Sequence, residues 1–549
     1  MIDWSYDLLS EKEKILWSRL SVFAGGWTLE AAEEVCSDQK IKKEEGLELL
    51  NQLTEKSIII FEKEKERYRI LESLKQYGEE KLKETKESNE ILSKHLYHYM
   101  EYSETSEPKL KGSEIHIWLK KLDQENNNFQ SAIEWSLSGG DKEKGARLAG
   151  ALGHFWDIRG QYSNVIMLKK ILHKEQGISK SSLGKSMYWA GSLTTIQGDY
   201  DEAVKFLEKS LALRRDLGDK RDLADPLHAL GTVSCYLGHS ETAQKFLDES
   251  LALFYELGDK HGIANSFNSL GNVAYIQGNY NQAQKYYEEC LTLTRHLSDK
   301  IGIATALTNL GNVVSSQGNY KKAQMYYGES LALRRELGEK RGIAMSLSDF
   351  GILAYHYGNY KKAKKFLEES LTLFHDLGYK RGMAFSLNKL GDVAYFQEDY
   401  KQAQRYYEEC FTLNRQMGDK IGIADSLNNL GNLELSAGNN EQAQKLFAES
   451  LELRYKIKDK LGIAYSLIGL ARILSTGNNM IRAVLLLGVV EATLKSMGIV
   501  LESTEQKNQK KLINKLHEKL SDEEFSKYFE KGKMLTLEQA TELALSDKY

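Results

Sequence analysis

From about Leu183 onward the apolar residues fall into two helical stripes per unit, and the whole pattern returns every 40 residues. Equivalent positions therefore share their last digits. Glycine recurs at Gly191, Gly231, Gly271, Gly311, Gly351, Gly391 and Gly431, preceded in six units by Leu230, Leu270, Leu310, Phe350, Leu390 and Leu430. Alanine recurs at Ala203, Ala243, Ala283, Ala323, Ala363, Ala403 and Ala443. An aromatic pair or its equivalent follows, as in Phe206-Leu207, Tyr286-Tyr287, Tyr326-Tyr327 and Tyr406-Tyr407. In the unit that starts at Lys300 this predicts helix A over Lys300–Ser316, a turn at Gly318-Asn319, and helix B over Lys321–Leu337, stopped by Gly338. Gly311 and Ala323 let the two helices approach closely, and Tyr327 and Leu331 lie one turn apart on the buried stripe of helix B.

Three irregularities carry expectations of their own. Glu398 stands where the turn glycine belongs, which predicts a strained or differently capped turn. Pro226 falls in helix A of the second unit and predicts a late start or a kink. A lysine recurs at Lys220, Lys260, Lys300, Lys340, Lys380, Lys420 and Lys460 with no partner evident in the sequence.

Residues 1–90 read differently. A helix over Glu11–Leu20, a short helix capped by Thr28, and a third over Lys43–Lys56 precede two β-prone runs, Ser57–Phe61 and Tyr68–Leu71, around the charged tip EKEKER. Three helices and a hairpin make a winged-helix pattern. Residues 91–182 predict divergent helical repeats, with Gly160-Gln161-Tyr162 echoing the later Gly-Asp-Tyr turn, and residues 477–549 predict a helical cap on the array at 183–476.

The spacing of Leu, Gly, Ala and aromatic residues resembles the tetratricopeptide family over roughly residues 183–476, with units longer than the usual 34 residues. The string NLGN at Asn309–Asn312 and Asn429–Asn432 is similar to that of G-protein-regulator scaffolds of the family. YDLLSEKEK, LSVFAGGWTLEAAEEVC, LLNQLTEKSIII, YRILESLKQYGEEKL, WLKKLDQENNNFQSAIEWSLSGGD, AVLLLGVVEATLKSMG and MLTLEQATELALS resemble the winged-helix and sensor part of bacterial signal-transduction ATPases of the STAND class. The resemblance implies an all-α fold: a tetratricopeptide-type superhelix, or solenoid, with a small N-terminal winged-helix domain. It also implies a signalling role and association with a separate ATPase module. The only GK[ST] string, Gly184-Lys185-Ser186, has Ser179 where a phosphate-binding loop needs glycine, and no strand precedes it. No cofactor is expected.

In such arrays the A helices line the concave face. The stripe offset from the packing stripe contains Asn265, Asn268, Asn272 and Tyr275, then Thr305, Thr308, Asn309 and Asn312. It continues with Tyr355, Phe385, Asn388, Asp392 and Tyr395, then Asp425, Asn428, Asn429 and Asn432. Asparagine is a poor helix former, so its density here asks for a reason. A side-chain amide carries both a donor and an acceptor and matches the backbone of an extended peptide, and tyrosine adds contact area with a polar tip. The alternative is a solvated face copied by repeat duplication. Where some family members clamp a carboxylate with lysine and arginine, this chain has Asn388, Asp392 and Asn428. A neutral grip on a protein or extended peptide is therefore expected.

Composition removes other classes. The net charge is −4, with 74 basic and 78 acidic residues, which offers no global basic field for nucleic acid. Residues 1–90 carry 15 basic against 21 acidic side chains, and the third helix bears Glu44, Glu45, Glu48 and Glu55, so the winged helix is expected to dock internally and not on DNA. Two prolines in 549 residues suit a helical chain. Cys36, Cys235, Cys290 and Cys410 show no metal or disulfide spacing, no secretory signal or membrane span is evident, and a cytoplasmic location is expected. His95 and His98 form an HxxH pair without a third ligand, Cys290 and Cys410 stand at a packing position, and Glu288-Glu289 and Glu368-Glu369 read as a solvated face. The expectation is a non-catalytic binding scaffold or sensor, without metal; the alternatives are a transcriptional regulator using the winged helix and the regulatory half of a split STAND-class ATPase.

Overall fold

The computed structural model describes residues 2–112, 114–218, 220–476, 479–497 and 503–546, without the side chains of Lys220, Arg221 and 503–508. The Lys220 side chain and Gly498 of the tail motif thus lie outside the described residues. The chain separates into two compact units, Met1–Ala190 and Gly191–Tyr549, divided within the helix Lys180–Gln197.

The first unit opens with α1 (Ile2–Asp7), which the sequence pattern did not predict, then α2 (Glu11–Leu20), α3 (Leu29–Cys36) and α4 (Gly46–Glu55). A hairpin of β1 (Ile59–Glu62) and β2 (Arg67–Ile70) follows, with Ile59 opposite Ile70. Ser10 and Glu13 form a capping box at α2, and Thr28 caps α3 by accepting from the Ala31 N–H. Trp17, Leu20, Phe23, Trp27, Leu50 and Leu53 fill the core beneath the hairpin. This arrangement is consistent with a winged helix. Arg19 is 1% exposed and is satisfied by Asp38, Glu87 and the Cys36 carbonyl. The Arg19 guanidinium in turn holds the Asp38 carboxyl well below its usual range. Arg67 makes a buried pair with Glu125, which also accepts from Tyr99 and Asn128, tying the hairpin to the helices Ser88–Ser106 and Ile115–Ser138. His95 is buried within this region against Phe23 and Tyr99, and burial pushes its pKa down to about 3, so it is a core residue and not a surface one.

In the second unit each repeat is an antiparallel helix pair. Helix A of the repeat around residue 311 spans Lys300–Ser316 and helix B spans Tyr320–Leu337, with Gly338 at φ 64° ending it. A Cβ on Gly311 would overlap the Tyr327 ring, and the same collision recurs between Gly271 and Tyr287 and between Gly391 and Tyr407. Glycine is required there because the helix B side chain lies against the backbone of helix A. A hydroxyl on helix B then donates to a helix A carbonyl: Ser250 to Ala224, Ser330 to Ala304, Ser370 to Ala344 and Ser450 to Ala424, each 2.8 Å. Cys410 takes the same place with its Sγ 3.2 Å from the Ala384 carbonyl, and burial pushes its thiol up to about 12. It is a packing residue.

In five repeats the recurrent lysine begins helix A directly after an acidic cap, and only Lys380 among the described ones follows an uncapped residue, Tyr379. Asp259, Asp299, Glu339, Asp419 and Asp459 accept from the N–H of Gly262, Gly302, Gly342, Gly422 and Gly462. Lys300 reaches Glu336 at 2.6 Å. Pro226 has the expected effect: a 3-10 turn covers Lys220–Leu223 and the α-helix begins only at Ala224. Glu398 adopts φ 64°, the left-handed turn that glycine makes at Gly318 and Gly358. Beyond the last repeat, Val484, Leu487, Leu512, Leu516, Phe525 and Ala540 share one apolar cluster with Phe447, Leu451 and Leu467, so the terminal helices cover its apolar face.

Candidate functional site

The A helices touch one another from repeat to repeat, whereas each B helix packs chiefly on its flanking A helices. The A side is therefore the shorter side, and the array bends toward it. On that side the predicted residues form two sets of contacts.

One set links neighbouring repeats at a step of 41 residues. Asn309 Nδ2 donates to Asn268 Oδ1 at 2.7 Å, and Asn429 Nδ2 donates to Asn388 Oδ1 at 3.0 Å. His228 and Ser269 form the corresponding pair at 2.9 Å. A second rung lies two turns further on, where Tyr275 meets Ser316 at 2.8 Å and Tyr395 meets Ser436 at 2.7 Å. At the equivalent place Tyr355 packs its ring 5.5 Å from Phe396.

The other set closes three of the repeats on themselves. Tyr287 donates to Asn272 at 2.8 Å, Tyr327 to Asn312 at 2.7 Å, and Tyr407 to Asp392 at 3.0 Å. Burial raises the pKa of all three phenols, with the Asp392 carboxylate adding to it at Tyr407, so each stays protonated as a donor. Asp392 also accepts from Lys389 at 2.8 Å, and Asn432 accepts from Arg472 at 2.8 Å.

The remaining predicted residues divide by depth. Thr308 is buried on Ser330 at 2.8 Å and Asn428 is buried, so both lie inside the helix packing. Asn265 is exposed, Thr305 is half-buried, and Asp425 accepts from Arg454 at 2.5 Å. Phe385 remains 43% exposed, a large apolar ring on the inner stripe.

Sequence reasoning singled out the asparagines but not their tyrosine partners, although the signal is present. Where the inner position is Asn272, Asn312 or Asp392, the residue 15 further on is Tyr287, Tyr327 or Tyr407. Where it is Thr232 or Ile352, the later residue is Leu247 or Leu367. Asn432 is followed by Phe447 and is served by Arg472 instead.

Gly184-Lys185-Ser186 lies inside the helix Lys180–Gln197, with Lys185 paired to Glu107 at 2.6 Å and Ser186 fully buried. Among the described residues no group of three or more His, Cys, Asp or Glu is arranged to hold a metal, and no helix is long and apolar enough to cross a membrane.

Stacked antiparallel helix pairs with an inner face of paired amides define a helical-repeat solenoid. A tetratricopeptide repeat profile matches residues 184–256, 262–336, 302–376, 342–416 and 422–496, more than half of the chain, and the chain belongs to that family. A Mycobacterium tuberculosis protein provisionally named an HTH-type transcriptional regulator is 26% identical over 241 residues, which cover 42% of this chain and 27% of the relative. An uncharacterized protein of the same species is 36% identical over 100 residues, 18% of this chain and 25% of its own. The chain thus spans about a quarter of the length of these relatives. Among solved structures, a Rap protein complexed with Competence and Sporulation Factor is similar with a TM-score of 0.50 at 15% identity, over 65% of this chain and 98% of that one. The STAND protein with a tetratricopeptide repeat sensor from Pyrococcus horikoshii covers 82% of this chain and 64% of its own, with a TM-score of 0.45 at 16% identity. At these identities the likeness is one of fold.

Proposed function

We propose that this chain is a non-catalytic scaffold or sensor in signalling that binds an extended protein or peptide segment along the inner face of its repeats. The observation that carries the reading is the pair of cross-repeat amide bonds, Asn268–Asn309 and Asn388–Asn429, on half-buried side chains. Each bond fixes the orientation of two carboxamides and uses one donor and one acceptor. The rest of both groups is held ready for the alternating N–H and C=O of an extended backbone, with little ordering left to do on binding. Asn265 and the exposed ring of Phe385 add a polar and an apolar contact on the same stripe. The membership in the tetratricopeptide family supports a binding scaffold, and the Rap protein of similar fold is one complexed with a factor.

The test is to select peptides from a random library on the folded chain and to measure their affinity for Asn268→Ala/Asn388→Ala. Losing two oriented amides costs about 1–3 kcal/mol, a loss of about five- to 150-fold. Selected peptides that bind the folded double variant unchanged would overturn the reading.

The name of the mycobacterial relative raises DNA binding by the winged-helix region. The exposed residues of α4 include Leu47, Glu48, Asn51 and Glu55, and no lysine or arginine lies within that helix. An acidic face opposes phosphate, so DNA recognition through this helix is disfavoured.

A further inference from the structure

Within the repeat array, three contacts join residues far apart in the chain. A Cβ built on Gly198 would meet Met417, one on Gly238 would meet Ile457, and one on Gly278 would meet Met497. Each pair is 219 residues apart, about five and a half of the 40-residue repeats. The three glycines lie in turns from helix A to helix B, while their partners end a helix on the opposite edge of the solenoid. The array therefore completes a superhelical turn over that span, and the edge of the second turn rests on the edge of the first.

Polar contacts follow the same line. Lys458 Nζ lies 2.5 Å from Glu241 Oε1, and Lys420 Nζ lies 3.2 Å from His239 Nε2. The Arg381 guanidinium lies 3.8 Å from the centre of the Tyr236 ring. Between the edges is a cavity of about 510 Å³ lined by His239, Glu241, Thr242, Asn279, Lys456 and Lys460, among others.

This contact differs in kind from those between neighbouring repeats. Neighbours share buried apolar clusters, such as Ala274, Tyr287, Leu310 and Val313. Across the edge, Glu241 and Lys458 keep 78% and 71% of their side-chain exposure, and an exposed ion pair adds little. Lys456, Lys458 and Lys460 line the cavity with His239 and Glu241, only Lys458 pairs with Glu241, and Lys420 lies on His239, so charge holds the edges together weakly. Single side chains set against glycine turns, with a void beside them, can part without opening a core.

We propose that this edge-to-edge contact is a clasp: closed, it shuts the inner face from the side, and open, it admits an extended segment laterally while every repeat stays folded. Its role as a gate rests on the groove reading; its existence as a separable contact does not.

The test uses the full chain carrying Glu241→Cys and Lys458→Cys with a short bismaleimide. The four native cysteines are buried, so the exposed engineered thiols react first. Rapid intramolecular cross-linking, seen as a faster-migrating band, is the expected result. Adding Met417→Lys and Ile457→Lys should lower the cross-linking rate at least fivefold and raise the radius of gyration in small-angle scattering, with helicity unchanged. No cross-link in the folded chain, a rate indifferent to the two lysines, or helicity lost together with the cross-link would overturn the clasp. Peptide binding by the uncross-linked variant that falls at least tenfold on cross-linking supports the gate, and equal binding in both forms overturns it. Binding in neither form sinks the groove reading and the gate with it, and leaves the clasp to be decided by the cross-linking result.

Discussion

Asp349 shows how one side chain departs from the pattern that its neighbours set. Asn309 and Asn429 hold the equivalent position and bond across to the preceding repeat, but at Asp349 the facing residue, Thr308, is taken by Ser330. The carboxyl is 7% exposed with an oxygen that lacks a partner, and burial raises its pKa to about 7 against the weaker pull of Arg334. A group that binds its proton more tightly when folded lends stability below its unfolded pKa and loses it as pH rises through the folded one. The penalty therefore grows between pH 4 and 7. Asp349→Asn should raise the thermal midpoint at pH 8, by the equivalent of about 1–4 kcal/mol, and leave it nearly unchanged at pH 4. A midpoint difference that does not vary with pH would show that the carboxyl is not the source.

At the scale of the element, helix ends are written in residue chemistry that is local and therefore legible. Helix A over Lys300–Ser316 and the stop at Gly338 follow from periodicity and a left-handed cap, and the late start at Ala224, with Pro226 in the first turn, follows from a missing N–H. The hairpin after α4 was likewise readable from its β-branched runs. Helix α1 was not, since six residues with no buried side chain leave no periodic signature. The tyrosine clips were legible in principle, because Asn272, Asn312 and Asp392 change together with the residue 15 positions later, but a search for exposed binding residues does not look for internal partners. Glu398 gives the element scale its own test. It holds φ 64° at a cost that glycine avoids, so Glu398→Gly should stabilise the array by about 0.5–1 kcal/mol, read from the thermal midpoint. The same change at Lys322, inside the helix Tyr320–Leu337, should destabilise by a similar amount.

At the scale of the repeat array, stability adds up from one repeat to the next, whereas the closing of one superhelical turn on another depends on contacts 145 to 219 residues apart that leave no trace in local sequence. That closure should respond to acid. In the closed form burial, and then the Lys420 ammonium, hold the pKa of His239 below its ordinary 6.5. The charged groups facing it are Glu241 on its own helix, Lys420 across the edge, and Lys456, Lys458 and Lys460 around the cavity; Gln277 and Asn279 are neutral. Neutral His239 accepts from Lys420, and protonated His239 cannot and repels it. Opening parts His239, which is exposed in the closed form, from the Lys420 ammonium and restores its ordinary affinity for a proton, so the closed form binds fewer protons and acid favours opening. The effect should start as pH falls below about 6.5 and grow until His239 titrates in the closed form as well. Small-angle scattering from pH 7.5 to 5 should show the radius of gyration rising, with Glu241→Cys/Lys458→Cys cross-linking slowing in parallel and helicity constant. In His239→Gln, which accepts from Lys420 at every pH, both quantities should stay flat over that range. Equal expansion of the His239→Gln chain would place the acid response elsewhere in the array.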